Sequence, residues 1–222
     1  MMSKTLLGIT TVFLPFIWSP LTPIHYIPLE NIKWINWIDP LGMYSLQYPS
    51  LNDWKIVGIE NQSSSNLSYN IGGIDNNNNY FDNGYNFIIL HIENNLSTLK
   101  ISLAVIPLQD IKNKNEFLAF KTYSSYTDLL VANFESKEKI DSPNFQVVEK
   151  HSDKYSIDGN KASGILSRHA PSLGDSYGML TLYAIDTDND LLLTYNYISD
   201  ANAFMTYLPI AEKILDSIKI LK

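Results

Sequence analysis

The chain has 222 residues, 45 % hydrophobic and 18 % charged, with a formal net charge of −7. That length and apolar content suit one folded domain and exclude wholesale disorder. Cysteine is absent, which removes disulfides, thiolate metal sites and cysteine nucleophiles together, and the lack of a basic cluster argues against nucleic acid or an anionic membrane surface as partner.

Lys4 is the only charged residue before Glu30, and an apolar run from Leu6 to Trp18 follows it. This is the pattern of a secretory leader, shorter than the ~20 apolar residues a bilayer-spanning helix needs. Residues 1–29 are therefore expected to be a signal peptide or a retained N-terminal anchor. The protein is expected outside the membrane, extracellular or peripheral on the outer side. No alanine precedes Ala104, so no A-x-A cleavage site can be read, and the missing cysteine excludes a lipoprotein anchor. Asn61, Asn66 and Asn95 each stand in an N-x-[S/T] triplet and are candidate glycosylation sites on surface loops.

Residues 30–36 read as a linker, and 37–222 as the domain. Tyr44, Leu46 and Tyr48 alternate with Ser45 and Gln47, the period of a half-buried strand, which Pro49 ends. Trp54 to Ile59 reads as a second strand. The polar stretch from Asn61 to Asn86 cannot build a core and reads as a long loop. Phe87 to Ile92 reads as a central strand, joined through Asn94-Asn95 to an alternating strand at Leu99 to Val105. Asn115 is placed to cap a helix from Glu116 to about Leu130, with Leu118, Thr122, Tyr126 and Leu130 on one face. Strands follow at Phe145 to Glu149 and at Tyr155 to Ile157. The turn Asp158-Gly159 leads into Ala162 to Arg168, and Tyr177 to Ile185 and Leu191 to Ile198 flank the turn Asp186 to Asp190. Asp200 is placed to cap a closing helix with its apolar stripe on Ile210, Ile214 and Ile218, and Pro209 stands where a helix could restart. Hairpin-length connections with two covering helices predict an α+β fold, an antiparallel β-sheet sandwiched by α-helices.

Three patches in order then resemble one family. Tyr44-x-Leu46-x-Tyr48-Pro49 followed by Trp54 resembles the opening of PsbP-like domains. Gly159-x-x-Ala162 resembles their mid-domain hairpin. Tyr197, Phe204, Leu208-Pro209, Ile214 and Ser217-Ile218 resemble their last strand and terminal helix. The likeness covers about residues 36–222. It implies an exported sheet-and-helix domain without catalysis. Plant and cyanobacterial members are accessory proteins of the oxygen-evolving complex, linked to calcium and manganese retention, and many others are exported proteins outside photosynthesis. Carried over, this is analogy at the level of fold.

Four groups of residues bear on chemistry. Gly174-Asp175-Ser176-Tyr177-Gly178 matches G-x-S-x-G, but Pro171 precedes it, a strand rather than a helix follows, and no histidine comes after His169. Asp186, Asp188 and Asp190 match the first half of a calcium loop. Leu191 and Tyr197 stand where an EF-hand needs Gly and Glu, leaving a weak hard-cation site or a self-bonded turn. His91 and Glu93 share a strand face and would need His151 or His169 beside them to hold a metal. Trp34, Trp37 and Trp54 read as core. The expectation is an exported, non-catalytic binding or accessory protein, with no cofactor beyond a weakly held divalent cation such as Ca²⁺. It would act on a protein or envelope partner through sheet-edge loops or a helix–sheet groove. The alternatives are a serine hydrolase using Ser176 and a structural cell-surface component.

Overall fold

The structure is a computed structural model that describes residues 28–39, 42–51, 54–59, 90–94, 99–108, 123–142, 144–170 and 176–221. After a 3-10 turn at Leu29–Asn31 come strands β1 (Trp34–Ile38), β2 (Tyr44–Pro49), β3 (Trp54–Ile59), β4 (Leu90–Asn94) and β5 (Leu99–Pro107). Helix α1 (Tyr123–Asp141) leads to β6 (Gln146–Ile157), β7 (Asn160–His169), β8 (Tyr177–Asp186) and β9 (Leu191–Asp200). Helix α2 (Ala201–Ser217) and the short β10 (Lys219–Ile220) close the chain.

A seven-stranded sheet has the order β3-β4-β5-β9-β8-β7-β6, and a three-stranded sheet has the order β1-β2-β10. Every pairing is antiparallel. Successive side chains of a strand point to opposite faces, so the large sheet carries two cores. On one face Leu103, Val105, Leu180, Leu182, Leu193, Tyr195 and Tyr197 meet Phe204, Ile210, Ala211, Ile214 and Leu215 of α2, together with Tyr44 and Leu46 of the small sheet. On the other, Ile106, Ile165, Tyr183, Ile185 and Leu192 meet Tyr126, Leu130, Val131 and Phe134 of α1. The expected α+β sheet between helices is thus the observed one. Among the described residues, no helix is long and apolar enough to cross a membrane.

Several elements differ from the sequence expectation. Residues 34–36, read as linker, belong to β1, whose Trp37 packs its ring 5.7 Å from that of Tyr44. The two strands expected around Phe145 and Tyr155 are one long edge strand, with register shifts between Val147 and Glu149 and between His151 and Tyr155. Bulges of this kind absorb a polar stretch while pairing continues. Helix α1 runs on past Leu130 because Val131 and Phe134 extend its apolar stripe. It ends before Pro143, which disfavours helical backbone at Ser142. The expected Asn115 cap, the polar stretch 61–86 and the leader up to residue 27 lie outside the described residues.

Pro209 sits inside α2 rather than at a restart, and the Asp200 side chain makes no cap hydrogen bond. A mid-helix proline lacks the N–H that would bond the carbonyl four residues back. Two core hydroxyls hold the helix on either side of it. Tyr197 donates to the Phe204 carbonyl at 2.8 Å, and Tyr195 donates to the Ala211 carbonyl at 2.7 Å. Both hydroxyls are in turn satisfied inside the core, where an unpaired one is costly.

Asp158 and Gly159 take positive φ, 50° and 80°, as the tight hairpin between β6 and β7 requires. The Asp158 carboxylate also accepts the Ile220 N–H at 2.9 Å and the Lys219 ammonium at 3.0 Å, which ties β10 to that turn. Gly178 in β8 lies beneath the Phe204 ring, and a Cβ built there would stand 2.5 Å from the ring. Gly178→Ala is therefore expected to destabilise the domain by about 1–3 kcal/mol through overpacking. Urea unfolding checks this, and an unchanged midpoint would show that α2 can shift without cost.

Candidate functional site

The end of α2 meets the small sheet through one hydroxyl. Ser217 Oγ accepts the Gln47 N–H at 2.8 Å and donates to the Ile214 carbonyl at 2.6 Å. Gln47 Nε2 donates to Asn36 Oδ1 at 2.8 Å, so both amides are held in place on the outward face. Around them lies a cleft of about 520 Å³, lined by Asn36, Ile38, Ser45 and Gln47 of the sheet and by Lys213 and Asp216 of the helix. Lys219, also on its rim, is turned to Asp158. Lys213 and Asp216 make no ion pair among the described residues, and Ile38 is 62 % exposed. The cleft thus offers amides, the hydroxyls of Ser45 and Ser217, both signs of charge and the apolar residues Ile38 and Leu46. It is a helix–sheet groove, and Ser45, Leu46, Gln47 and Ser217, which the sequence places on a strand and the closing helix, line it. No motif marks it, because it forms where Asn36, Ile38 and residues 45–47 meet residues 213–219.

The residues singled out from sequence are dispersed. Asp186 is buried, and its carboxylate closes its own turn. Oδ1 accepts the N–H groups of Asp188 and Asn189 at 3.0 and 3.1 Å, and Oδ2 accepts Asn189 Nδ2 at 2.7 Å. Asp190 adopts a φ of 53°, and its carbonyl accepts the Leu108 N–H. Among the described residues, no three His, Asp or Glu side chains gather as a metal group. His91 and Glu93 lie on β4, His169 on β7 and His151 on β6. The order of strands sets β4 four places from β7 and five from β6. At about 4.8 Å per strand, that is roughly 19 and 24 Å. Ser176 enters β8, where its carbonyl accepts the Ala201 N–H at 2.8 Å. Gly174 and Asp175 of the same motif, and Asn61, Asn66 and Asn95, lie outside the described residues.

A polar row beneath α1 escaped the sequence reading. Thr127 and Ser163 hydroxyls are 2.8 Å apart, and Ser163 donates to Asp128 at 2.6 Å. At the other end of the helix His169 is fully buried, stacked 4.5 Å from Tyr177 and edge-on to Phe145 at 4.9 Å. Its Nε2 is 3.2 Å from Ser167 Oγ, and its Nδ1 is 3.4 Å from Glu138 Oε2 without hydrogen-bond alignment. This order of Ser, His and Glu is that of a hydrolase triad. Ser167 and His169 are wholly enclosed, however, so a substrate has no approach to the hydroxyl. The period-2 placement of Ser167 and His169 was legible in the sequence. Their partner on α1 was not, because it comes from a separate element.

Burial lowers the His169 pKa from 6.5 to about 4. Burial, then the nearby Asp141 carboxylate, raises that of Glu138. Neutral His169 is thus favoured in the folded state. Its contribution is complete above pH 6.5 and is lost as pH falls from 6.5 through 4, in all about 3 kcal/mol. Glu138 acts with the opposite sign. Its raised pKa makes the folded state the better proton binder, so it offsets part of the acid loss. His169→Gln should flatten the acid limb of stability against pH, measured by urea unfolding. A limb as steep as that of the wild type would remove His169 as its source. For the turn, the saturated Asp186 carboxylate leaves little for a cation to gain. Thermal melts with and without millimolar Ca²⁺ are expected to coincide, and a selective upward shift would restore the turn as a cation site.

No protein-family model matches the chain, and no curated protein matches it. Three solved structures are similar. Cyanobacterial PsbP (CyanoP) from Synechocystis sp. PCC 6803 is 11 % identical with a TM-score of 0.45, over 84 % of this chain and 92 % of that chain. LpqN, involved in cell envelope biogenesis of Mycobacterium tuberculosis, is 14 % identical with a TM-score of 0.43, over 90 % of this chain and 100 % of that chain. The Saccharomyces cerevisiae Ran-binding protein Mog1p is 7 % identical with a TM-score of 0.45, over 85 % and 96 %. The first carries the name of the family that the three sequence patches resemble. At these identities and TM-scores, function has to be read from this chain's own residues.

Proposed function

We propose that this is an exported, non-catalytic binding protein of accessory type, and that it meets a protein or envelope partner in the cleft between α2 and the small sheet. The observation that carries the reading is the cleft itself. It is a concave surface of about 520 Å³, with fixed amides at Asn36 and Gln47, unengaged charges at Lys213 and Asp216, and exposed Ile38. The volume lies in the usual range for binding clefts, and the mostly polar and charged lining suits a polar partner surface rather than an apolar small molecule. Export is supported by Lys4 and the apolar run behind it. A non-catalytic role is supported by the state of the hydroxyls weighed. Ser167 is sealed under α1, and both nitrogens of His169 face Ser167 and Glu138 rather than Ser176.

The test is site-specific photo-crosslinking in the producing cell. A crosslinker at Gln47, on the cleft wall, should trap a defined partner. One at Glu149, on β6, should not. Reversing the cleft charges with Lys213→Glu and Asp216→Lys should cut the Gln47 adduct at least about tenfold, since charged groups in a contact set its specificity. It should leave the melting temperature nearly unchanged, as expected of substitutions at the protein surface. Equal trapping at both positions, or an adduct indifferent to the charge reversal, would overturn the assignment.

A further inference from the structure

We propose that two copies of this chain associate through the free edge of β1, joining their three-stranded sheets into one continuous antiparallel sheet about a two-fold axis at Asn36. The phase of the ladder on β1 is the first ground. The Ser50 N–H donates to the Lys33 carbonyl at 2.7 Å, and the Asp39 N–H donates to the Tyr44 carbonyl at 2.9 Å. Along an antiparallel strand, residues bonded to one neighbour alternate with residues that face the other side. Ile35 and Trp37 therefore bond β2, as do Lys33 and Asp39 beyond the strand ends. The N–H and C=O groups of Trp34, Asn36 and Ile38 point to the outer edge, where no strand pairs with them among the described residues. The opposite side of β2 obeys the same alternation. Lys219 and Ile220 pair with Ser45 and Tyr44, the Leu221 N–H bonds the Met43 carbonyl, and the Ser217 hydroxyl takes the Gln47 N–H.

The second ground is that this edge complements itself. A two-fold axis at Asn36 sets Asn36 against its own copy, Trp34 against Ile38, and Ile38 against Trp34. All three pairs fall at positions whose backbone groups face outward. Aromatic residues opposite β-branched ones are favourable cross-strand pairs, and Ile38, 62 % exposed in one copy, gains an aromatic neighbour. One residue beyond on each side, exposed Lys33 falls opposite Asp39, whose carboxylate is buried and accepts the Met43 N–H of its own chain, so no like charges meet there. The third ground is contrast with the far edge of the large sheet. There β6 has two register shifts and carries Glu149, Lys150, Asp153 and Lys154, the features by which proteins block edge pairing. Trp34–Ile38 is regular, uncharged and free of proline. The pairing uses the backbone edge of β1 and shares Asn36 and Ile38 with the cleft wall, while Gln47, Lys213 and Asp216 lie outside it.

The absence of cysteine makes the test direct. In the full chain, Asn36→Cys places two thiols across the axis. The paired Cα atoms would be about 5.5 Å apart, within the disulfide range. Ile38→Cys exposes its thiol more, but sets it four residues from its counterpart, roughly 13 Å away. Mild oxidation should convert Asn36→Cys to a disulfide dimer at least about tenfold faster than Ile38→Cys. A mixture of Trp34→Cys and Ile38→Cys should yield the heterodimer ahead of either homodimer. Sedimentation velocity on the unsubstituted chain should show a concentration-dependent rise toward dimer, which Ile38→Lys abolishes and Val148→Lys on β6 leaves intact. Equal rates for the two single-cysteine variants would overturn the proposal. So would a monomer at every concentration, or a dimer indifferent to Ile38→Lys.

Discussion

Burial of β8 and β9 on both faces is the constraint on which the other elements depend. From Leu180 to Asp186 and from Leu191 to Tyr195 every residue is buried. Alternate side chains enter the α2 core and the α1 core. A strand with two apolar faces needs a cover on each. The α1 side receives one helix. The α2 side receives a helix and the small sheet, because one helix spans only about 10 Å of a wider surface. The small sheet thus serves as a second cover, and among the described residues no strand pairs with the outer edge of β1.

The two covers are held by different chemistry. Helix α2 lies on an apolar stripe and is fastened through its own carbonyls by Tyr195 and Tyr197. Those carbonyls flank Pro209, where the helix ladder is interrupted. Helix α1 is held by apolar contacts in its middle and by Thr127 and Asp128 with Ser163 toward its start, while Glu138 lies beside neutral His169 toward its end. Both covers respond to protons: burial lowers the pKa of His169 under α1 and that of His151, which packs on Tyr155 where that hydroxyl bonds Glu212 of α2.

Much of the architecture was legible because it rests on period and turn chemistry. The alternation at Tyr44 to Tyr48 and Leu99 to Val105, and the turn flanked by Tyr177 to Ile185 and Leu191 to Ile198, named strands that form. Asp158-Gly159 named a hairpin that forms, with positive φ at both residues. What misled was local: a proline inside α2 and a polar stretch inside β6. In each case tertiary packing overrides the propensity, with tyrosine hydroxyls across Pro209 in one and a bulged edge in the other.

The candidate sites divide in the same way. Asp186 to Asp190 was visible as a run of carboxylates, but the run does not say that Asp186 spends its oxygens on its own turn. The sequence by itself determined the two-sided strands, the hairpin turns, the absence of thiol chemistry and the apolar face of each helix, because those depend on neighbours a few residues away. Only the tertiary structure decided that Asn36, Ser45 and Gln47 face Lys213 and Asp216 across a cleft, that His169 lies beside Glu138 under α1, and that no strand pairs with the outer edge of Trp34, Asn36 and Ile38 among the described residues. Each of these depends on which strands pair and in what register, and that is set by the whole core at once.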